Sequence, residues 1–268
     1  MQSTISSKLH DLESWFNNYD SVLIAFSGGV DSTLLAKAAF TSIGKKAIAV
    51  TADSPSIPRS ELTNAKSLAK MIGIKHLVVN TNEMENPQYT QNPSNRCYYC
   101  KSELFSTLSN LSKKKDIEII VDGTNIDDLS DFRPGLQAAN ENQIHHPFVD
   151  LKFTKLDIRN ISKYLQLPTA DRPSAPCLSS RVSYGQPITL KTLTKIEKAE
   201  AFIKELTGIE VLRVRDHNNM ARIEVGKHER SLLFDEIIMD RIDKELKHIG
   251  FKYITLELSG YKSGNLNK

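Results

Sequence analysis

Short apolar runs alternate with amphipathic stretches along this chain. Leu9, Leu12, Trp15 and Phe16 share one helical face over residues 5–18. Residues 22–26 form an apolar run that predicts a buried strand, and a helix follows over 32–42. The pattern continues with a strand at 47–50, a helix at 60–72, a strand at 77–79, a helix at 100–113, a strand at 117–121 and a helix at 154–165. This alternation predicts βαβ units and a parallel sheet. Ligands of such sheets lie beyond the carboxyl ends of the strands. Ser27, Asp53 and Asp122 each follow a strand, so one shared site is expected there.

Residues 168–188 break the alternation with Pro168, Pro173, Pro176, Gly185 and Pro187, a boundary signal that also contains Cys177. Beyond it the pattern predicts a helix at 189–206, strands at 210–215 and 220–225, a helix at 229–248 and a strand at 252–258. The expected organisation is an α/β domain over 1–168, a linker over 169–188, and a smaller α/β domain over 189–268 for substrate binding or oligomerisation.

Ser27-Gly28-Gly29-Val30-Asp31-Ser32 lies between the first strand and its helix. Two glycines let the backbone turn tightly and approach a ligand closely. The first helix amides lack intrahelical partners and carry partial positive charge, so phosphate is their natural ligand. The segment has neither the lysine of the Walker A loop nor the third glycine of the dinucleotide fingerprint. It resembles the PP-loop of the ATP pyrophosphatase superfamily (adenine nucleotide alpha hydrolase-like fold), whose members split ATP into AMP and pyrophosphate. The competing reading is a Gly-rich turn capped by Ser or Asp.

Charge and composition narrow the partners. The 268 residues carry 35 basic and 32 acidic side chains, a net +3, too little to argue for nucleic-acid binding. An apolar content of 40% is ordinary for a globular chain, and no run approaches the roughly 18 apolar residues that span a bilayer. No basic stretch followed by an apolar core opens the chain, so a cytoplasmic location without membrane contact is expected. In that reducing setting three cysteines do not read as a disulfide framework.

Cys97 and Cys100 have the C-x-x-C spacing of metal ligands; Cys177 stands far off in sequence. Three thiolates with His145 or His146 can hold zinc. Three can also hold an iron–sulfur cluster with one iron left open. Redox exchange or sulfur carriage by the pair is a third reading, and three unrelated buried thiols a fourth.

More motifs follow in order: Asp131-Phe132-Arg133-Pro134-Gly135-Leu136, Pro176-Cys177-Leu178-Ser179-Ser180-Arg181 with Tyr184-Gly185, Arg213-Val214-Arg215-Asp216-His217, Ala221-Arg222-Ile223-Glu224, and Tyr253 to Gly264. Together with the Gly-rich loop they make the chain similar, over nearly its whole length, to the LarE family of ATP-dependent sulfur transferases. That resemblance implies thiolation of the carboxylates of pyridinium-3,5-biscarboxylic acid mononucleotide, a small-molecule nucleotide substrate, toward the nickel-pincer cofactor of lactate racemase. One class of the family sacrifices the sulfur of a single cysteine at the position of Cys177. A second class has three cysteines and a 4Fe-4S cluster whose open iron carries sulfide. Cys97, Cys100 and Cys177 resemble the second class. The resemblance also implies a sulfide source such as a cysteine desulfurase, and a homo-oligomer, commonly a hexamer.

On this reading ATP lies over Ser27, Gly28, Gly29, Asp31 and Ser32, with Asp31 helping to hold Mg²⁺. Ala25 and Ser54 flank the nucleoside by the same resemblance. Asp127, Asp128 and Asp131 are either Mg²⁺ or ATP ligands or a solvated acidic loop. Lys101 and Arg181 adjoin the cysteines and are candidates for substrate phosphate or carboxylate. Arg213 and Arg215 share a strand face, which suggests an anion between them; salt bridges, with Glu224 as one partner, are the alternative. His145, His146 and His217 read as structural or solvent-facing. A PP-loop tRNA thiolase with a three-cysteine cluster is the rival enzyme. It calls for an extended basic surface that the net charge does not suggest. A zinc-stabilised nucleotide-binding protein is the non-enzymatic rival.

Overall fold

The computed structural model describes residues 2–130 and 134–262, and Asp131, Phe132, Arg133, Ser263 and Gly264 lie outside that range. The chain divides into two compact units. The first comprises residues 1–54, 59–83 and 95–175; the second comprises 55–58, 84–94 and 176–268.

In the first unit α1 (Gln2–Phe16) precedes β1 (Val22–Ala25), α2 (Val30–Ile43), β2 (Ala47–Asp53), α3 (Arg59–Ile72) and β3 (Lys75–Asn80). The second unit then takes α4 (Pro87–Thr90). The first unit continues with α5 (Arg96–Lys115), β4 (Ile119–Val121), α6 (Pro134–Glu141), α7 (Pro147–Asp150) and α8 (Lys155–Tyr164). The sheet is parallel with order β3-β2-β1-β4. Strand side chains alternate between faces. Val22 and Ile24 join Leu12, Leu34 and Ile158 in one core, while Leu23 joins Phe105, Leu108 and Ala138 in another. Covering both faces explains why β1 reads as a continuous apolar run.

After β3 the chain crosses back to lay β4 on the other side of β1. This makes the carboxyl ends of β1 and β4 a topological switch point, where open α/β sheets bind ligands. A parallel bridge between Val121 and His145 adds a fifth position beyond β4. Neither α6 nor α7 is evident from the sequence pattern. They are short, at 8 and 4 residues, too brief for a clear period.

The second unit holds α9 (Leu190–Thr207), β5 (Leu212–His217), β6 (Met220–Val225), α10 (Glu236–Ile249) and β7 (Tyr253–Leu256). β5 and β6 form a hairpin turning on Asn218 and Asn219, both with positive φ, and α10 carries the crossover that makes β6 and β7 parallel. The helix expected from 229 starts only at Glu236, because Asp235 caps it by accepting from the Ile238 amide at 3.0 Å.

The Pro-rich stretch expected as a linker divides between the units at residues 175 and 176. Its second part is firmly tied down. The buried Asn92 side chain donates to the carbonyls of Ser183 and Gln186 at 2.7 and 3.0 Å, and the Tyr89 hydroxyl meets Ser179 Oγ at 2.6 Å.

Candidate functional site

Ser27, Gly28 and Gly29 form the turn from β1 into α2. Gly28 has φ +73, and a Cβ there would stand 3.1 Å from Ala65 Cα, so the position requires glycine twice over. Gly29 is the N-cap of α2 and has no side chain to cap it. The Ser27 and Ser32 hydroxyls, 3.2 Å apart, fold the turn back on itself, with Ser32 Oγ also donating to the Gly29 carbonyl. The amides at the start of α2 thus remain an anion cradle at the switch point. Ala25, half-buried at the end of β1, leads into it.

The loop is braced from behind. Arg172 Nη1 donates to the Gly28 carbonyl at 3.2 Å while Nη2 pairs with Glu61 at 2.7 Å. Arg159 in turn holds the Ala170 and Arg172 carbonyls at 2.6 and 3.1 Å. From the β4 side, Gly123 closes on the loop: a Cβ there would lie 2.9 Å from Asp31 Cβ and 3.1 Å from the Ser32 amide. None of Arg172, Glu61 and Gly123 announces this role in the sequence, since each acts through a partner distant along the chain.

Asp31 projects from the first turn of α2 and meets Lys155 Nζ at 2.6 Å, with Asn125 Nδ2 at 3.5 Å. Asn125, fully buried, also donates to Asp128 at 2.8 Å. Asp127 accepts from the Lys155 amide at 2.6 Å. Asp31, Asp127 and Asp128 thus lie in one network around Asn125 and Lys155, with Asp127 exposed and Asp128 half-buried. Thr154 and Asp157 form the capping box that starts α8 at Lys155. That box is readable in the sequence; the reach of Lys155 to Asp31 is not.

Ser54 is buried and gives its hydroxyl to Glu83, while Arg59 pairs with Asp53 and the Ser54 carbonyl. Its side chain is occupied within the protein.

Asp122, just past β4, accepts from the Thr124 amide at 3.0 Å and meets His146 Nδ1 at 2.7 Å. Burial opposes the Asp122 carboxylate, yet the His146 hydrogen bond and charge, the Lys101 ammonium and the Thr124 amide together hold its pKa below the ordinary value. Burial likewise opposes the His146 imidazolium, but Asp122, with help from Asp150, outweighs burial and Lys101, so the His146 pKa rises. His146 is therefore an ion-pair partner and not a solvent-facing residue.

Cys97 and Cys100 sit one turn apart on the first turns of α5, Cys97 exposed and Cys100 half-buried. The i, i+3 spacing puts both thiols on one helix face. Lys101 follows, its ammonium 5.2 Å from the Phe105 ring centre, and α6 presses against it at Gly135. Cys177 belongs to the second unit, just before the 3-10 turn Leu178–Arg181. Among the described residues no three His, Cys, Asp or Glu side chains gather as a metal site. The donor set of three thiols still suits zinc or iron–sulfur ligation.

Arg181 departs from its expected role. It is buried, pairs with Glu200 through Nε and Nη2 at 2.9 and 3.1 Å, and gives Nη1 to the carbonyls of Pro176 and Cys177. All three nitrogens are used internally, so Arg181 shapes the Cys177 turn instead of reaching for a substrate. Arg213 and Arg215 do share a buried face. Arg215 pairs with Glu224 at 2.8 Å, Arg222 approaches the same carboxylate at 3.0 Å, and Arg213 lies over the Tyr261 ring. Burial and the Arg181 charge both press on the Arg213 cation and lower its pKa. His217 meets the Ser183 hydroxyl at 2.8 Å, and burial and the Arg222 charge lower its pKa.

No helix among the described residues is long and apolar enough to cross a membrane. Residues 6–98 match the family model of NAD synthase, consistent with the PP-loop and parallel sheet. An uncharacterized protein of Synechocystis is 46% identical over 264 residues, 98% of each chain. An uncharacterized protein of Methanocaldococcus jannaschii is 34% identical over 95% of each chain. The pyridinium-3,5-bisthiocarboxylic acid mononucleotide synthase of Lactiplantibacillus plantarum is 30% identical over 267 residues, 99% of this chain and 95% of that one. With a likeness that runs through both units, this chain belongs to the LarE family of PP-loop enzymes.

Proposed function

We propose that this protein is an ATP-dependent sulfurtransferase that adenylates a carboxylate of pyridinium-3,5-biscarboxylic acid mononucleotide and converts it to a thiocarboxylate. The observation that carries the reading is the uncapped start of α2 at the switch point, with Asp31 and Lys155 beside it. ATP phosphates rest on the loop amides and on Ser27 and Ser32, and Asp31 with Asp128 offers oxygen ligands to Mg²⁺. Asp31 would hold Mg²⁺, and its partner Lys155 would then offer its ammonium to the phosphates.

The substrate carboxylate oxygen attacks the α-phosphorus, and the bond to the pyrophosphate oxygen breaks. Positioning and charge stabilisation dominate such a step. Hydrosulfide sulfur then attacks the acyl carbon, the carbon–oxygen bond to AMP breaks, and the thiocarboxylate remains after loss of a proton. The excess of arginines, buried Arg213 and Arg215 with half-buried Arg222 against Glu224, supports an anion site for the substrate phosphate.

Cys97, Cys100 and Cys177 would hold a 4Fe-4S cluster, which supplies an open iron to bind sulfide. Arg181 fixes the backbone that presents Cys177. A homo-oligomer fed by sulfide or a cysteine desulfurase completes the reading.

The test is product analysis on protein purified without oxygen and given ATP, Mg²⁺ and the dicarboxylate nucleotide. AMP and pyrophosphate are expected; ADP and phosphate overturn the assignment. Iron and acid-labile sulfide lost on any single Cys→Ala change support the cluster, and stoichiometric zinc without sulfide refutes it.

A further inference from the structure

We propose that His146, held by Asp122 through Nδ1, is a binding residue of the active site, offering its buried Nε2–H to an anionic oxygen at the carboxyl edge of the parallel sheet. The inference deepens the adenylation reading and rests on it for its kinetic part.

Topology supplies the first argument. His145 pairs in parallel with Val121, donating its amide to Ile120 at 2.9 Å and accepting from the Asp122 amide at 3.1 Å. His146 therefore stands just past a fifth parallel position, on the edge that also carries Ser27 and Asp122. The pair has a motif on each side. Gly123, next to Asp122, is pressed against Asp31 and the Ser32 amide of the nucleotide loop. Lys101, next to Cys100, adds its positive charge to the field at both Asp122 and His146.

The second argument is a donor without a partner. Nδ1 of His146 is taken by Asp122 at 2.7 Å, but Nε2 is buried and has no hydrogen-bond partner among the described residues. A buried orphan of this kind is costly, and native structures tolerate few. A purely structural Asp–His pair has no reason to leave it. The charged groups facing the ring are Asp122 beyond β4, Asp150 on α7 and Lys101 on α5. Their balance favours the imidazolium, in which Nε2 is a donor and calls for an anionic acceptor. Phosphate oxygens of the nucleotide and the carboxylate of the acceptor share that chemistry.

The test has two arms on the full chain. In the first, the ring nitrogens of His146 are followed by ¹⁵N NMR across pH in the presence of Mg·ATP, then of pyridine-3,5-dicarboxylate. The occupying anion is expected to raise the proton affinity of His146 about tenfold; which probe does so identifies the source. No response to either probe overturns the proposal, whether or not the protein adenylates anything. In the second arm, His146→Gln is expected to lower kcat/KM for pyrophosphate release about tenfold. The variant should also lack the decline in rate that the wild type is expected to show as pH rises through the His146 titration. Higher KM for ATP points to phosphate, higher KM for the dicarboxylate to the acceptor. A variant with unchanged kcat/KM and an unchanged pH profile refutes the proposal. If the variant does not fold, the first arm decides. If the wild type releases no pyrophosphate, the adenylation reading fails and the first arm still stands.

Discussion

Lys155 Nζ lies 2.6 Å from Asp31 Oδ1, joining the first residue of α8 to the first turn of α2. Walker-type loops carry their phosphate lysine within the loop. Here the cation comes from a helix 124 positions further along and is held in waiting by the carboxylate expected to bind Mg²⁺. Lys155→Met is expected to lower pyrophosphate release about 100-fold or more, since a cation aimed at developing phosphate charge is a large catalytic contribution. Stability should change by about 1 kcal/mol or less, because both partners are partly solvated. Pyrophosphate assays and urea titrations on the same preparation separate the two effects. A variant that melts like wild type and keeps full activity removes Lys155 from the site.

Gly123 makes a second prediction. Alanine there meets Asp31 Cβ and the Ser32 amide at 2.9 and 3.1 Å, so either β4 or the nucleotide loop must shift. Gly123→Ala should raise the KM for ATP about tenfold or more, as loop misplacement weakens positioning. Steady-state kinetics at varied ATP is the measurement. A normal KM means that the loop yields without cost.

The parallel sheet, its flanking helices and the phosphate loop were legible from the sequence because each is local: an apolar run, a helical period, two glycines. Asp31 and the cysteines stand out in the sequence by residue type and spacing. What the sequence hid is contact over distance. Arg172 on Gly28, Lys155 on Asp31 and Asn92 on the carbonyls of Ser183 and Gln186 join residues 90 or more positions apart. No spacing rule links such pairs. Asn92 shows the consequence: proline and glycine content marks residues 169–188 as a linker, yet one buried amide side chain holds the carbonyls of Ser183 and Gln186 within it. Arg181 was misread for a related reason, since an arginine beside a cysteine looks like an anion ligand until its buried partner Glu200 is seen.

That Arg181–Glu200 pair gives a third prediction. Both side chains are buried, and removing one partner strands the other's charge. Glu200→Ala should destabilise the protein by about 3–5 kcal/mol. The double change Arg181→Met with Glu200→Leu should recover much of that loss, because a buried pair replaced by apolar groups of similar volume is often neutral. The double variant should nevertheless transfer sulfur poorly, as the Cys177 carbonyl loses its donor. Denaturant midpoints and product formation test the two halves. A double variant no more stable than the single one shows that the pair is not the cause.

The Asp122–His146 pair predicts how stability depends on pH. His146 has its pKa raised from 6.5 in the folded protein, so its contribution is full below that value and is lost as pH rises through the folded pKa. Asp122 has its pKa lowered from 3.8, so its contribution is full above that value and is lost as pH falls through the folded pKa. Both hold together between pH 3.8 and 6.5. The stability difference between wild type and His146→Gln should therefore be largest in that window and shrink above neutrality. Taking the difference cancels titrating groups that do not touch the pair. Urea midpoints for both proteins at a series of pH values, at constant ionic strength, supply the curve. A difference that stays flat from acid to alkaline pH would mean that His146 binds its proton equally well in the folded and unfolded chain, so that Asp122 contributes nothing to holding the imidazolium.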